Sequence, residues 1–193
     1  INSLQTDDSN DCWIVEIIDN TLNFSRGISQ FCILIALKQK KEIYAAVVYN
    51  PIRDDIFFFE KGIGGYNNDL RIRINKRNEI SDSILFGIYN NYNSIDDTKT
   101  INIIRNIFTL ENFNLRESGS LFLDICNVGS GRYDGCVMLN PSNNSLLINK
   151  LIMQETGGGV FQTTISDSKI YFFCNKFMGN FLKEIVDNSD EKK

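Results

Sequence analysis

The chain has 193 residues, of which 42% are hydrophobic and 23% charged, a composition suited to one globular domain with a full core. Its 20 Lys and Arg against 24 Asp and Glu leave a net charge of −4, the wrong balance for a nucleic-acid binder, which must neutralise phosphates. Histidine is absent, which excludes Ser-His-Asp and Cys-His catalysis, His-ligated zinc and a His phosphocarrier within this sequence.

Residues 12–18 (CWIVEII) read as a buried strand that ends in the turn Asp19-Asn20-Thr21. Strands follow at 30–37, 43–49 and 56–59, joined by turns at 38–41 and 54–55. Gly62, Gly64 and Gly65 mark a tight loop before 70–74. This meander predicts an antiparallel sheet. The basic stretch of residues 71–77 reads as a solvated strand end. Residues 83–89 predict a strand and 90–99 a polar loop. Ile101, Ile104, Ile107 and Phe108 place one helix face over 100–110, and 120–128 predicts a second helix. A strand at 132–139 precedes a helix at 146–156, stopped by Gly157-Gly158-Gly159. A core strand at 170–174, a closing helix at 178–186 and a frayed charged tail at 187–193 complete a layered α+β domain.

The five cysteines are odd in number, show no C-x-x-C spacing and sit among apolar neighbours, as reduced thiols of a cytoplasmic protein do. No apolar run is long enough to span a membrane, and no signal peptide is expected before the first strand, although the chain starts at Ile1 and not at Met.

The segment with most chemical content is WIVEIIDNTLNF, residues 13–24. Two carboxylates, Glu16 and Asp19, stand three residues apart where a strand ends and the chain can turn both to one point. A hard cation such as Mg²⁺ needs a ring of oxygens, which carboxylates and a backbone carbonyl supply. Asn20 and Thr21 can offer backbone N–H groups, and Thr21 a hydroxyl, to a phosphate. The competing reading is an acidic turn in which Asp19 or Thr21 merely caps a helix.

This segment resembles the inositol monophosphatase signature W-[IVL]-[IV]-D-P-[IL]-D-G-T-x-N-F, matching at Trp13, Ile18, Asp19, Thr21, Asn23 and Phe24. Residues 46–51 resemble "GVVYxP", 61–72 "KGxGAxxNGxRI", 116–124 "RxxGSAALD", 128–135 "VAxGRxDG" and 155–158 "EAGG", in the same order and spacing. The SuhB type is the branch most similar.

The resemblance implies a layered αβαβα sandwich in one domain, residues 1–193, with an antiparallel lobe over about 1–80 and a mixed α/β lobe over about 81–193. The family's two N-terminal helices and first hairpin have no counterpart here. It also implies Mg²⁺-dependent hydrolysis of an inositol or sugar phosphate. Glu16, the Ile18 backbone carbonyl and Asp19 then take the metal-ligand places, Asn20 and Thr21 the phosphate cradle, and Ser120 a position lining the substrate pocket. Asp19 and Thr21 would be the catalytic pair, with Thr21 positioning the attacking water. A homodimer is implied, and the SuhB type adds a possible protein partner in the transcription machinery; no direct nucleic-acid or membrane contact is expected.

Several site positions depart from the family. Its first Asp is Glu16, its Pro is Ile17 and its Gly is Asn20, which tolerates left-handed dihedrals. Counting back from Glu155 puts Ser145 at a metal-binding Asp, Asn144 at a Trp, and Met138 at the Glu that holds substrate hydroxyls. The family's upstream Glu pair has only Asp7 and Asp8 near its place. Single losses of this kind commonly lower rates by roughly 10²–10³. The expectation is therefore an impaired enzyme or, alternatively, a catalytically silent pseudophosphatase acting as a scaffold.

Overall fold

The computed structural model describes residues 11–80, 84–90, 95–111, 113–165 and 168–190. Asp7, Asp8 and the first residue of the strand expected at 83–89 lie outside them. The first sheet is a six-stranded antiparallel meander: β1 (Cys12–Asp19), β2 (Cys32–Gln39), β3 (Glu42–Asn50), β4 (Asp55–Glu60), β5 (Gly64–Asn67) and β6 (Leu70–Ile72), in that spatial order. Its tight turns use Lys40, Asp54 and Asn68 at positive φ, as short hairpin connections demand.

The second sheet holds β7 (Leu85–Asn90), β8 (Asn114–Arg116), β9 (Gly135–Leu139), β10 (Gly159–Ile165) and β11 (Ser168–Cys174), ordered β10-β11-β9-β7-β8. Only β8, β7 and β9 run parallel to one another. The helices are α1 (Thr21–Ser25), α2 (Ile95–Leu110), α3 (Leu121–Gly129), α4 (Asn143–Thr156) and α5 (Lys176–Asp190).

Helices α3 and α4 lie between the sheets. One core joins Leu34, Val48, Phe57 and Phe59 of the first sheet to Phe122, Ile125, Ile152 and Met153 of the helices and to Cys136 and Phe173 of the second sheet. A second core joins Phe86, Val137 and Phe172 to Ile104 and Phe108 of α2 and to Met178 and Leu182 of α5. Strand β9 divides its buried side chains between the two, so the second sheet is covered on both faces. Among the described residues the layers run sheet, helices, sheet, helices, the expected sandwich without a helical layer ahead of the first sheet.

The outward face of that first sheet is also apolar. Val15, Ile35, Val47 and Phe58 pair across four strands in one row, with Trp13, Leu37 and Ala45 in the next. Trp13 is 64% exposed and Ile17 63%. The uninterrupted apolar runs of β2 and β3 have the pattern of strands apolar on both faces. Among the described residues no helix is long and apolar enough to cross a membrane.

Several expected boundaries are corrected. Gly64 and Gly65 open β5 and are not a loop: a Cβ on Gly65 would lie 2.8 Å from Thr156 and 2.9 Å from Phe59, so this glycine answers to packing. The expected loop at 90–99 contains the first turn of α2, which begins at Ile95. Helix α4 starts at Asn143, where the Ser142 hydroxyl accepts from Ser145 N–H, and not at 146. Gly159 stops nothing; after the left-handed cap at Gly157, at φ 87°, the chain turns straight into β10. Helix α5 runs through Asp190, into the segment expected to fray. The short α1 and β8 carried no periodicity long enough to detect.

Candidate active site

In a regular strand, residues three apart face opposite sides of the sheet. Glu16 and Asp19 do not, because β1 bulges between them: Glu16 pairs with Leu34 and Asp19 with Cys32, so three steps on β1 match two on β2. Leu34 and Cys32 share the inner face, and the bulge brings both carboxylates to that side.

Asp19 is buried and tightly held. Its Oδ2 accepts from the Ser120 hydroxyl at 2.8 Å, the Phe122 N–H at 3.1 Å and the Cys32 thiol at 3.7 Å. The start of α3 thus clamps the end of β1 across 101 residues of sequence. Burial raises the Asp19 pKa, and these three hydrogen bonds oppose the rise. Glu16 still reaches solvent, yet burial pushes its pKa up to about 7, with the charge of Asp19 adding to the effect. Tyr89, near the end of β7, has its pKa raised by burial and by the charges of Asp19 and Glu16. Sequence reasoning missed Tyr89 as a neighbour of the pair; its place at the carboxyl end of a parallel strand, where α/β sites gather, was the available signal.

Asn20 occupies the left-handed region at φ 70° and caps α1, its Oδ1 accepting from Asn23 N–H at 2.8 Å. Its Nδ2 donates to the Gly119 carbonyl at 2.8 Å. Asn23 Nδ2 donates to the carbonyls of Gln30 and Ser118. The turn is therefore stitched to the loop that leads into α3. Thr21 opens α1 and is exposed, and Ile18 is half-buried beside it. Ser120 is fully buried and its hydroxyl serves Asp19.

The two positions where the expected polar groups are lost lie elsewhere in the chemistry. Met138 is fully buried in the core, its sulfur accepting from Asn149 Nδ2 at 3.3 Å. Ser145 is engaged in the α4 cap, its hydroxyl 2.7 Å from that of Ser142. Among the described residues no three His, Cys, Asp or Glu side chains gather as a metal cluster. The carboxylate pair does fit one partly hydrated Mg²⁺, an ion commonly bound by one or two carboxylates plus substrate phosphate. The charge of Asp19 raises the proton affinity of Glu16, and a cation between them would relieve it.

A profile of the inositol monophosphatase family matches residues 1–172. The inositol-1-monophosphatase of Rhizobium meliloti is 33% identical over 146 residues, 76% of this chain and 54% of that protein. A putative Nus factor SuhB of Neisseria meningitidis serogroup B is 33% identical over 149 residues, 76% and 56%. The chain thus spans about half the length of these curated relatives. Among solved structures, the extragenic suppressor protein SuhB of Bartonella henselae superposes with a TM-score of 0.79 at 28% identity, covering 93% of this chain and 70% of that one. An IMPase of Thermotoga maritima gives 0.79 at 26% identity, covering 97% and 72%. Motif order, layered architecture and these matches agree, and the chain belongs to the inositol monophosphatase family.

Proposed function

We propose that this chain is a Mg²⁺-dependent phosphomonoesterase acting on an inositol or sugar phosphate, with a weaker site than the family's usual one. The observation that supports it is the β1 bulge, which turns Glu16 and Asp19 to one face directly before the left-handed turn at Asn20. Glu16, Asp19 and the Ile18 carbonyl hold the cation. When bound, Mg²⁺ supplies Lewis acidity toward the phosphate oxygens. The backbone N–H groups of Asn20 and Thr21 receive the phosphate, and the Thr21 hydroxyl orients the attacking water. Ser120 acts through Asp19: its hydrogen bond fixes the carboxylate's orientation and favours its charged form.

Phosphate release from inositol 1-phosphate, with and without Mg²⁺, tests the reading. Slow, Mg²⁺-dependent release that is lost in Asp19→Asn supports it. Release that is independent of Mg²⁺, or unchanged in that variant, refutes it. A homodimer belongs to the same proposal and is checked by sedimentation.

A second reading, a silent pseudophosphatase that serves as a scaffold for transcription proteins, draws on the burial of Met138, the engagement of Ser145 in a helix cap, and relatives named as Nus factors. Titration calorimetry with Mg²⁺ separates the two: stoichiometric binding counts for the enzyme, and absence of heat for the scaffold.

A further inference from the structure

The basic stretch at the end of the first sheet stands outside the chemistry proposed above. Arg73, Lys76 and Arg77 meet Lys176, the first residue of α5, around a cavity of about 470 Å³. That size lies within the range of small-molecule sites. None of the described residues lining it is acidic. In a chain of net charge −4, Asp134 balances Arg77, and Arg73, Lys76 and Lys176 still give the cavity a positive lining. Like charges brought together raise the free energy of the empty site, and an anion relieves it.

The wall is built and not merely solvated. Arg77 Nε is fixed on Asp134 Oδ1 at 2.8 Å, and Asp134 is itself held by Asn75 Nδ2 at 2.9 Å and by Leu85 N–H at 2.8 Å. Asn175 donates from Nδ2 to the Arg77 carbonyl at 2.8 Å and accepts at Oδ1 from Met178 N–H at 2.9 Å. One side chain thus ties the basic segment to the start of α5. The cavity is also distinct from the carboxylate pair. Its supports contact the entry of β7 at Leu85, whereas Tyr89, four residues along that strand, responds to Glu16 and Asp19. Four strand steps are roughly 13 Å.

We propose that this cavity binds a small phosphorylated anion, whose phosphate is held by Lys76, Lys176 and the Arg73 guanidinium. Arg73, whose Nη1 donates to the Glu155 carbonyl at 3.1 Å, lines the cavity with both lysines, and guanidinium and ammonium groups suit the charge and the several acceptor oxygens of a phosphate. The proposal does not depend on the carboxylate pair being active.

Calorimetric titration of the full chain with inorganic pyrophosphate, in EDTA and physiological chloride, tests it. Saturable binding is expected, weakened roughly tenfold or more in Lys76→Ala/Lys176→Ala, because two charge-assisted hydrogen bonds are lost. Asp19→Asn is expected to bind as the unaltered chain does. Both lysines are exposed, and circular dichroism is expected to show the double variant folded. Absence of saturable binding at millimolar pyrophosphate overturns the proposal. So does equal binding by the folded double variant, or loss of binding in Asp19→Asn.

Discussion

Asp124 provides the sharpest test of how the centre of this protein is built. It sits in the first turn of α3 at 1% exposure, and neither carboxylate oxygen has a hydrogen-bond partner among the described residues. Burial lifts its pKa from the usual 3.8 to about 7; the nearby Ser118 hydroxyl opposes this, though it points to the Ser120 carbonyl at 3.4 Å, and the charge of Asp19 adds to the rise. Between pH 3.8 and 7 the folded chain keeps a proton that the unfolded chain has released. Stability therefore falls as pH rises through that window and levels off above it. Three pH units at about 1.4 kcal/mol each give a penalty of about 4 kcal/mol for the ionised group. Asp124→Asn removes the charge and keeps the shape. Urea unfolding of both proteins from pH 4 to 8 is expected to show stabilities within about 1 kcal/mol of each other at pH 4. The variant then gains with each pH unit, to an advantage of about 4 kcal/mol near pH 8. A difference that stays constant with pH would refute the reasoning, because the other raised carboxyls are common to both proteins.

Ser120→Ala removes one of the hydrogen bonds that hold down the Asp19 pKa, so NMR titration of the Asp19 carboxyl is expected to move to higher pH; a downward move contradicts the positioning role. Asn20→Ala loses a helix cap and forces a β-carbon residue without a local hydrogen bond into the left-handed region, at about 2–3 kcal/mol together. Asn20→Gly keeps the dihedral, so thermal unfolding is expected to rank Gly above Ala, and the opposite order rejects the backbone argument. Gly119→Ala places a Cβ 2.3 Å from Asn20 Nδ2 at a φ of 83°, and its destabilisation is expected to shrink in the Asn20→Gly background; additive losses would mean that the two loops are not in contact.

The long strands were legible because β1 to β4 are continuous apolar runs closed by polar turns, of Asn, Asp or Gly after β1, β3 and β4 and of Lys and Gln after β2. Helices α2 to α5 showed their apolar spacing, although α2 and α4 begin earlier than that spacing indicates; α4 does so because its cap Ser142, and not an apolar residue, starts it. Strands β5, β8 and β10 escaped detection because they are short or open on glycine, and exist only through partners far away in sequence.

Residues 13–24 alone identified the chemistry to look for, since two carboxylates, a turn and a hydroxyl at fixed spacing are a local pattern. Whether those carboxylates meet was a question of register, which depends on how β2 pairs with β1 and so on hydrogen bonds between segments that the order of residues does not display. The same holds for Asp124, whose carboxylate oxygens meet no hydrogen-bond partner among the described residues, for Tyr89 near the pair, and for four cations from two distant segments around one cavity. Residue type and spacing determine what a segment can do; burial and the neighbour across the interface, which arise only when distant segments close on each other, decide what it does.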